Sequence, residues 1–136
     1  MTIADQIDGG AGVDTLEFTD TSNGGGLPSA NILRVEKFYI RNVETANASE
    51  TYDFAAVTGE TEVWSDRSTD AALFDNLGKG TVVGLNGDGT TVLGAVTFQM
   101  ATASDAVAIA IANGVGASGT APAITENGSN GTATSA

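Results

Sequence analysis

Cysteine and histidine are both absent from the chain. Together these absences remove disulfides, thiol nucleophiles, Ser-His-Asp triads and the usual zinc ligands. Basic residues are scarce as well, 5 against 17 acidic ones, for a formal net charge of −12. Nucleic acid is therefore not an expected partner, because phosphate contacts need Lys and Arg, and a binder of cations fits the charge better. Long hydrophobic runs are missing too. The longest apolar tract, "AVAIAIA", falls far short of the ~20 residues a spanning helix requires, so membrane insertion is not expected. The opening "MTIADQIDGG" has no basic segment followed by an apolar one, so any export would be signalled elsewhere than in a cleavable leader of the general secretory type.

What is present is a set of small and β-prone residues. Gly numbers 18 and Pro 2, with much Thr, Ser, Ala, Asn and Asp, a composition of short strands joined by turns rather than of helices. The 136 residues allow one domain with a modest core or a few turns of a solenoid. Short β-like pieces recur as "KFYIRNV", "TYDFAAV", "TEVWSD", "LFDNL", "TVVGLN", "AVTFQM" and "VAIAIAN". Most of their starts lie roughly 10–14 residues apart, a spacing that predicts a stacked β-solenoid or a meander of strands. Ser104-Asp105 before "AVAIAIANG" allows a capped helix ending at Gly114, but Val107, Ile109 and Ile111 alternate with Ala, the period of a strand. One helical turn near Ile32–Glu36 is a further option.

Residues 9–17, "GGAGVDTLE", carry the most specific signal. Gly9, Gly10 and Gly12 describe a tight loop whose carbonyls can turn inward, and Asp14 adds a carboxylate beside them. Leu16 and Phe18 then alternate as in a short strand. An oxygen-only loop of this kind suits a hard cation such as calcium. The order G-G-x-G-x-D-x-U-x is met at every specified position, and it resembles the calcium-binding nonapeptide of RTX parallel β-rolls. One period upstream, Asp5 and Ile7 fall on the aspartate and apolar positions, so the chain is expected to start inside a longer array. The alternative is a plain glycine turn between strands.

A second likeness extends further. In bacterial S-layer proteins of the RTX type such a loop is followed by a V/I-E-x element, an apolar strand and Ala/Thr/Asn-rich rungs; the order here is "GGAGVDTLEF", "RVEKFYIRNVET", "YDFAAVTGETEVWSD" and "ASDAVAIAIANG". This resemblance implies an all-β fold, a parallel β-solenoid or β-roll-like stack of short strands. It divides the chain into a calcium loop and the end of a β-roll (1–20), a flexible loop (21–31), solenoid rungs (32–116) and a Gly/Ser/Thr-rich tail (117–136). Calcium would be the cofactor, held by Asp5, Asp8, Gly10, Gly12 and Asp14. The implied role is structural and extracellular, at the cell surface, with copies of the chain as partners in a lattice or filament. The competing role is a ligand-binding module of a secreted RTX adhesin that meets lipopolysaccharide or a cell-surface glycan. An enzyme is not expected, since only carboxylates, Lys or Tyr remain to do chemistry.

Four further motifs have a functional and a plain reading. Asn86-Gly87-Asp88-Gly89 offers oxygen donors, but Asn-Gly and Asp-Gly are also hairpin-turn dipeptides and no acid stands where an EF-hand loop needs one. Asp66, Asp70 and Asp75 could be a carboxylate pair or metal site, or a solvated acidic face. Trp64, Tyr52 and Tyr39 could stack on a sugar ring, or sit in the core and along the rungs. Arg34, Lys37 and Arg41 could dock on an acidic surface, or pair locally with Glu36 and Glu44.

Overall fold

The structure, a computed structural model, describes residues 5–28, 30–45, 49–102, 106–114 and 122–127. Period-2 alternation sets its strands. In Lys37–Asn42 the side chains of Phe38, Ile40 and Asn42 are buried, while Arg41 between the last two is exposed. The described strands are β1 (Gln6–Asp8), β2 (Thr15–Asp20), β3 (Asn31–Leu33), β4 (Lys37–Asn42), β5 (Glu50–Asp53), β6 (Val57–Thr58), β7 (Glu62–Asp66), β8 (Ala72–Leu77), β9 (Val82–Asn86), β10 (Val96–Met100), β11 (Ala108–Ala112) and β12 (Ile124–Glu126). No helix occurs among the described residues. Ile32 belongs to β3 and Arg34 takes a left-handed φ of 54°, which ends the option of a helical turn there.

Every pairing between these strands is parallel, and the strands form three sheets. Their orders are β1-β3-β6, β12-β10-β8-β5 and β11-β9-β7-β4-β2. The fold is a parallel β-solenoid of about 4 turns, as the repeat pattern predicts. Glu62, for example, sits beside both Lys37 and Val82, its neighbours one rung down and one rung up. Rungs therefore differ in length, and the slack is taken up in the corners.

Inside, residues of equal phase stack in rows. Leu16, Phe38, Val63, Val83 and Ile109 make one row; Phe18, Ile40, Ser65, Leu85 and Ile111 make the next. Across the core, Tyr52, Phe74 and Phe98 form an aromatic row, with Phe54 edge-on to both Phe38 and Phe74. The rows are fully buried in the middle and open at the end, where Ile109 and Ile111 are 49% and 63% exposed.

Among the described residues the first rung carries no strand beneath β5. Its place is taken by the loop after Asp20, where Gly24 donates its N–H to Glu50 Oε2 and Gly26 donates to Asp20 Oδ2. The segment expected as a flexible loop is thus tied down by side chains. Within the expected tail, β12 joins β10 as a further rung; residues 115–121 and 128–136 lie outside the described residues.

Candidate functional site

The Gly9–Asp14 turn joins β1 to β2 at a corner of the first rung. Gly10 and Gly12 have φ of 91° and 123°, the left-handed backbone that the glycine spacing predicts. The turn rests on the next rung: Gly9 N–H donates to Leu33 O, and Asp14 O accepts from the N–H groups of Glu36 and Lys37. A Cβ at Gly9 would run into the carbonyl oxygen of Arg34, so the first glycine is set by close packing rather than by φ.

Of the residues expected to hold calcium, the turn assembles some and diverts others. Asp14 N–H donates to Glu36 Oε2 at 2.8 Å, while Asp14 Oδ2 is buried with no hydrogen-bond partner. That orphaned oxygen beside a second carboxylate fits a hard cation. Asp8 has another task, because its two oxygens accept from the Arg34 guanidinium and Oδ1 also accepts from Gly10 N–H. Asp5 passes its carbonyl to Asn31 N–H. Among the described residues no three acidic side chains stand where they could hold one ion, so Asp5, Asp8 and Asp14 are not gathered on a single point. The acidic side chains at the turn are Asp14 and, from the next rung, Glu36.

A second acidic corner was not singled out by the sequence motifs. Asp20, Glu44 and Glu50 are 2%, 5% and 8% exposed, three buried carboxylates besides Asp66, which is paired with Arg67. Burial alone would push the Asp20 carboxyl up. Hydrogen bonds from Gly26 N–H, Ser22 N–H, the Ser22 hydroxyl and the Tyr52 hydroxyl outweigh that effect and hold it below its usual value. The Tyr52 hydroxyl is in turn pushed well up, by burial first and by the Asp20 charge second. Glu44 has no such support. Both its carboxylate oxygens are buried without a partner, and its carboxyl is pushed up by burial, then by the charges of Glu50, Asp20 and Asp70.

These opposite shifts give a signed pH dependence. Glu44, raised above 4.5, disfavours folding once ionised, so stability should increase as pH falls through its folded pKa toward 4.5. Asp20, lowered below 3.8, stabilises the fold when ionised, and that contribution should be lost as pH falls further. Urea midpoints measured from neutral pH downward should pass through a maximum in the acid range. A midpoint that only declines would contradict the assignment.

The remaining motifs resolve into structure. Asp88 is a turn cap whose oxygens accept from the N–H and hydroxyl groups of both Thr90 and Thr91, bonds that depress its carboxyl strongly. Asp66 receives Arg67 and Asn86, and Asp70 and Asp75 accept from Ala71 and Asn76 N–H, so the three do not form a pair-like site. Tyr52 is a core residue. Tyr39 and Trp64 stack face to face on the outer side of β4 and β7, at 6.0 Å and an angle of 2°, and the indole lies over Gly84 of the next rung. Two of the basic residues pair across rungs, Arg34 with Asp8 and Lys37 with Glu62 at 2.8 Å, whereas Arg67 pairs with its chain neighbour Asp66 at 2.7 Å. Arg41 is exposed.

A cleft of about 340 Å³ opens under the glycine loop, lined among others by Gly26, Leu27, Ile32, Asp53 and Val57. Its carboxylate, Asp53, accepts from Ala55 N–H and Asn76 Nδ2, both on Oδ1. Compared with family profiles, curated proteins and solved structures, the chain matches none.

Proposed function

We propose that the chain is a structural element of a bacterial extracellular surface layer or filament, in which copies associate end to end with calcium bound. The observation that carries this reading is the β11 end of the solenoid, which no strand among the described residues covers. Ile109 and Ile111 continue rows that are closed one rung below by the buried Val83 and Leu85, yet they stand exposed on an edge strand. Parallel edges present unpaired N–H and C=O groups in register, which makes β11 a template for a further strand. At the opposite end Leu16 and Phe18 of β2 are only partly buried, offering the same two rows. A net charge of −12 opposes contact between copies, and divalent cations reduce that repulsion.

Light scattering across a calcium series tests the reading. Wild-type protein should gain mass with calcium, and a variant carrying Ile109→Ser and Ile111→Ser should remain monomeric while keeping its strand content. Loss of growth in neither case would remove β11 from the contact. Among the basic residues Arg41→Glu is the clean probe of a docking charge, since Arg34 and Lys37 hold rungs together.

The stacked Tyr39–Trp64 pair favours the second reading, a module binding a glycan or lipopolysaccharide on its outer face. Stacking uses one face of each ring, and the indole N–H is already given to Glu62 Oε2, which leaves a reduced platform. Quenching of Trp64 fluorescence by cell-surface polysaccharide would support that reading over assembly.

A further inference from the structure

The cleft under the glycine loop lies between two stacked turns, the loop that enters β3 and the turn that joins β5 to β6. It is amphipathic. Its buried lining is apolar, with Ala30, Ile32 and Val57, while Leu27 is half-buried and Asp53 and Ala56 stand exposed at the rim. A volume of about 340 Å³ suits a small organic molecule.

Asp53 is fixed in place at that rim. Its Oδ1 accepts from Ala55 N–H at 2.8 Å and from Asn76 Nδ2, on the neighbouring strand β8, at 2.9 Å. Its Oδ2 accepts from no group among the described residues, and no lysine or arginine there pairs with it or lines the cleft. One acceptor oxygen is thus oriented by the other and left over.

We propose that the cleft binds a small organic cation, with an ammonium group on Asp53 Oδ2 and a hydrocarbon body against Leu27, Ile32 and Val57. Any ligand that covers the rim strips water from Oδ2, a cost that only a hydrogen-bond donor offsets. The ligand must bring that donor. A charged donor makes the stronger bond, and a net charge of −12 draws cations toward the chain and repels anions. The apolar lining then favours a hydrocarbon body, which a bare metal ion does not have. Neither β2 nor β11 lines the cleft, so the inference does not depend on assembly.

Methyl NMR of the wild-type chain, titrated separately with hexylammonium, hexanol and hexanoate, tests the proposal on one hydrocarbon body with three head groups. Hexylammonium should shift the methyl signals of Leu27, Ile32 and Val57 to saturation at millimolar concentration. Hexanol should bind about tenfold more weakly, the loss expected when a charge-assisted hydrogen bond becomes a neutral one, and hexanoate should leave the signals in place. Asp53→Asn keeps an oxygen acceptor for Ala55 N–H and Asn76 Nδ2, and should lower the affinity for hexylammonium to that for hexanol. Should this variant fail to fold, the three head groups on wild type still decide. The proposal is overturned by wild-type methyl signals that ignore hexylammonium, by hexanol or hexanoate binding as tightly as hexylammonium, or by a folded Asp53→Asn that binds hexylammonium as wild type does.

Discussion

Replacing Phe74 with alanine should destabilise the protein by about 3–5 kcal/mol, enough to unfold much of a domain of ordinary stability. Phe74 is fully buried, lies in register between Tyr52 and Phe98, and meets Phe54 edge-on at 6.3 Å. In a solenoid each rung packs only against its neighbours, so a cavity in the central aromatic row severs the stack on both sides. Urea unfolding of Phe74→Ala beside Val92→Ala measures it. Val92 is 57% exposed, and its truncation should stay within about 0.5 kcal/mol. Comparable midpoints for the two would mean that the row is not the structural spine.

The second large effect is expected at Gly25. A Cβ there would fall on the Asp20 carboxylate, so Gly25→Ala must push the loop away from the corner it closes. Both N–H to carboxylate bonds from Gly24 and Gly26 depend on that approach, and the loss should reach about 2–4 kcal/mol. Gly24→Ala separates close packing from backbone strain. Its φ is 77° and nothing lies near its missing Cβ, so it should cost about 1–2 kcal/mol. Denaturant midpoints in the reverse order would contradict the packing of the loop on Asp20.

Local rules made several elements of this fold legible in advance. Alternation placed Leu16 with Phe18 on one face, "KFYIRNV" was legible as a β-like piece, and the glycine spacing anticipated the left-handed backbone at Gly10 and Gly12. Strand was the better reading of "AVAIAIA", and β11 is indeed a strand; Ser104 and Asp105 themselves lie outside the described residues. Rung length was harder. Corners absorb insertions, so nothing local tells Lys37 that its neighbour is Glu62 rather than Glu44, or Arg34 that Asp8 lies beside it.

The acidic corner left a trace that motif reading passed over. Leu16, Phe18 and Asp20 share one phase of β2, and Glu50 and Tyr52 share one phase of β5. A carboxylate in the apolar phase of a strand is a sign of a buried charge with a partner to be found. Glu44 stands beyond the end of β4 yet keeps the phase of Phe38, Ile40 and Asn42 and is buried with them, so the period carries the same sign past the strand.

Electron microscopy of the wild-type chain at high concentration, with calcium and with chelator, tests the assembly most directly. Copies that stack rung on rung should form filaments or sheets in calcium, with an axial repeat of roughly 20 Å for about 4 turns spaced at ~4.8 Å, and chelator should disperse them. Monodisperse single particles under both conditions would contradict the proposed role.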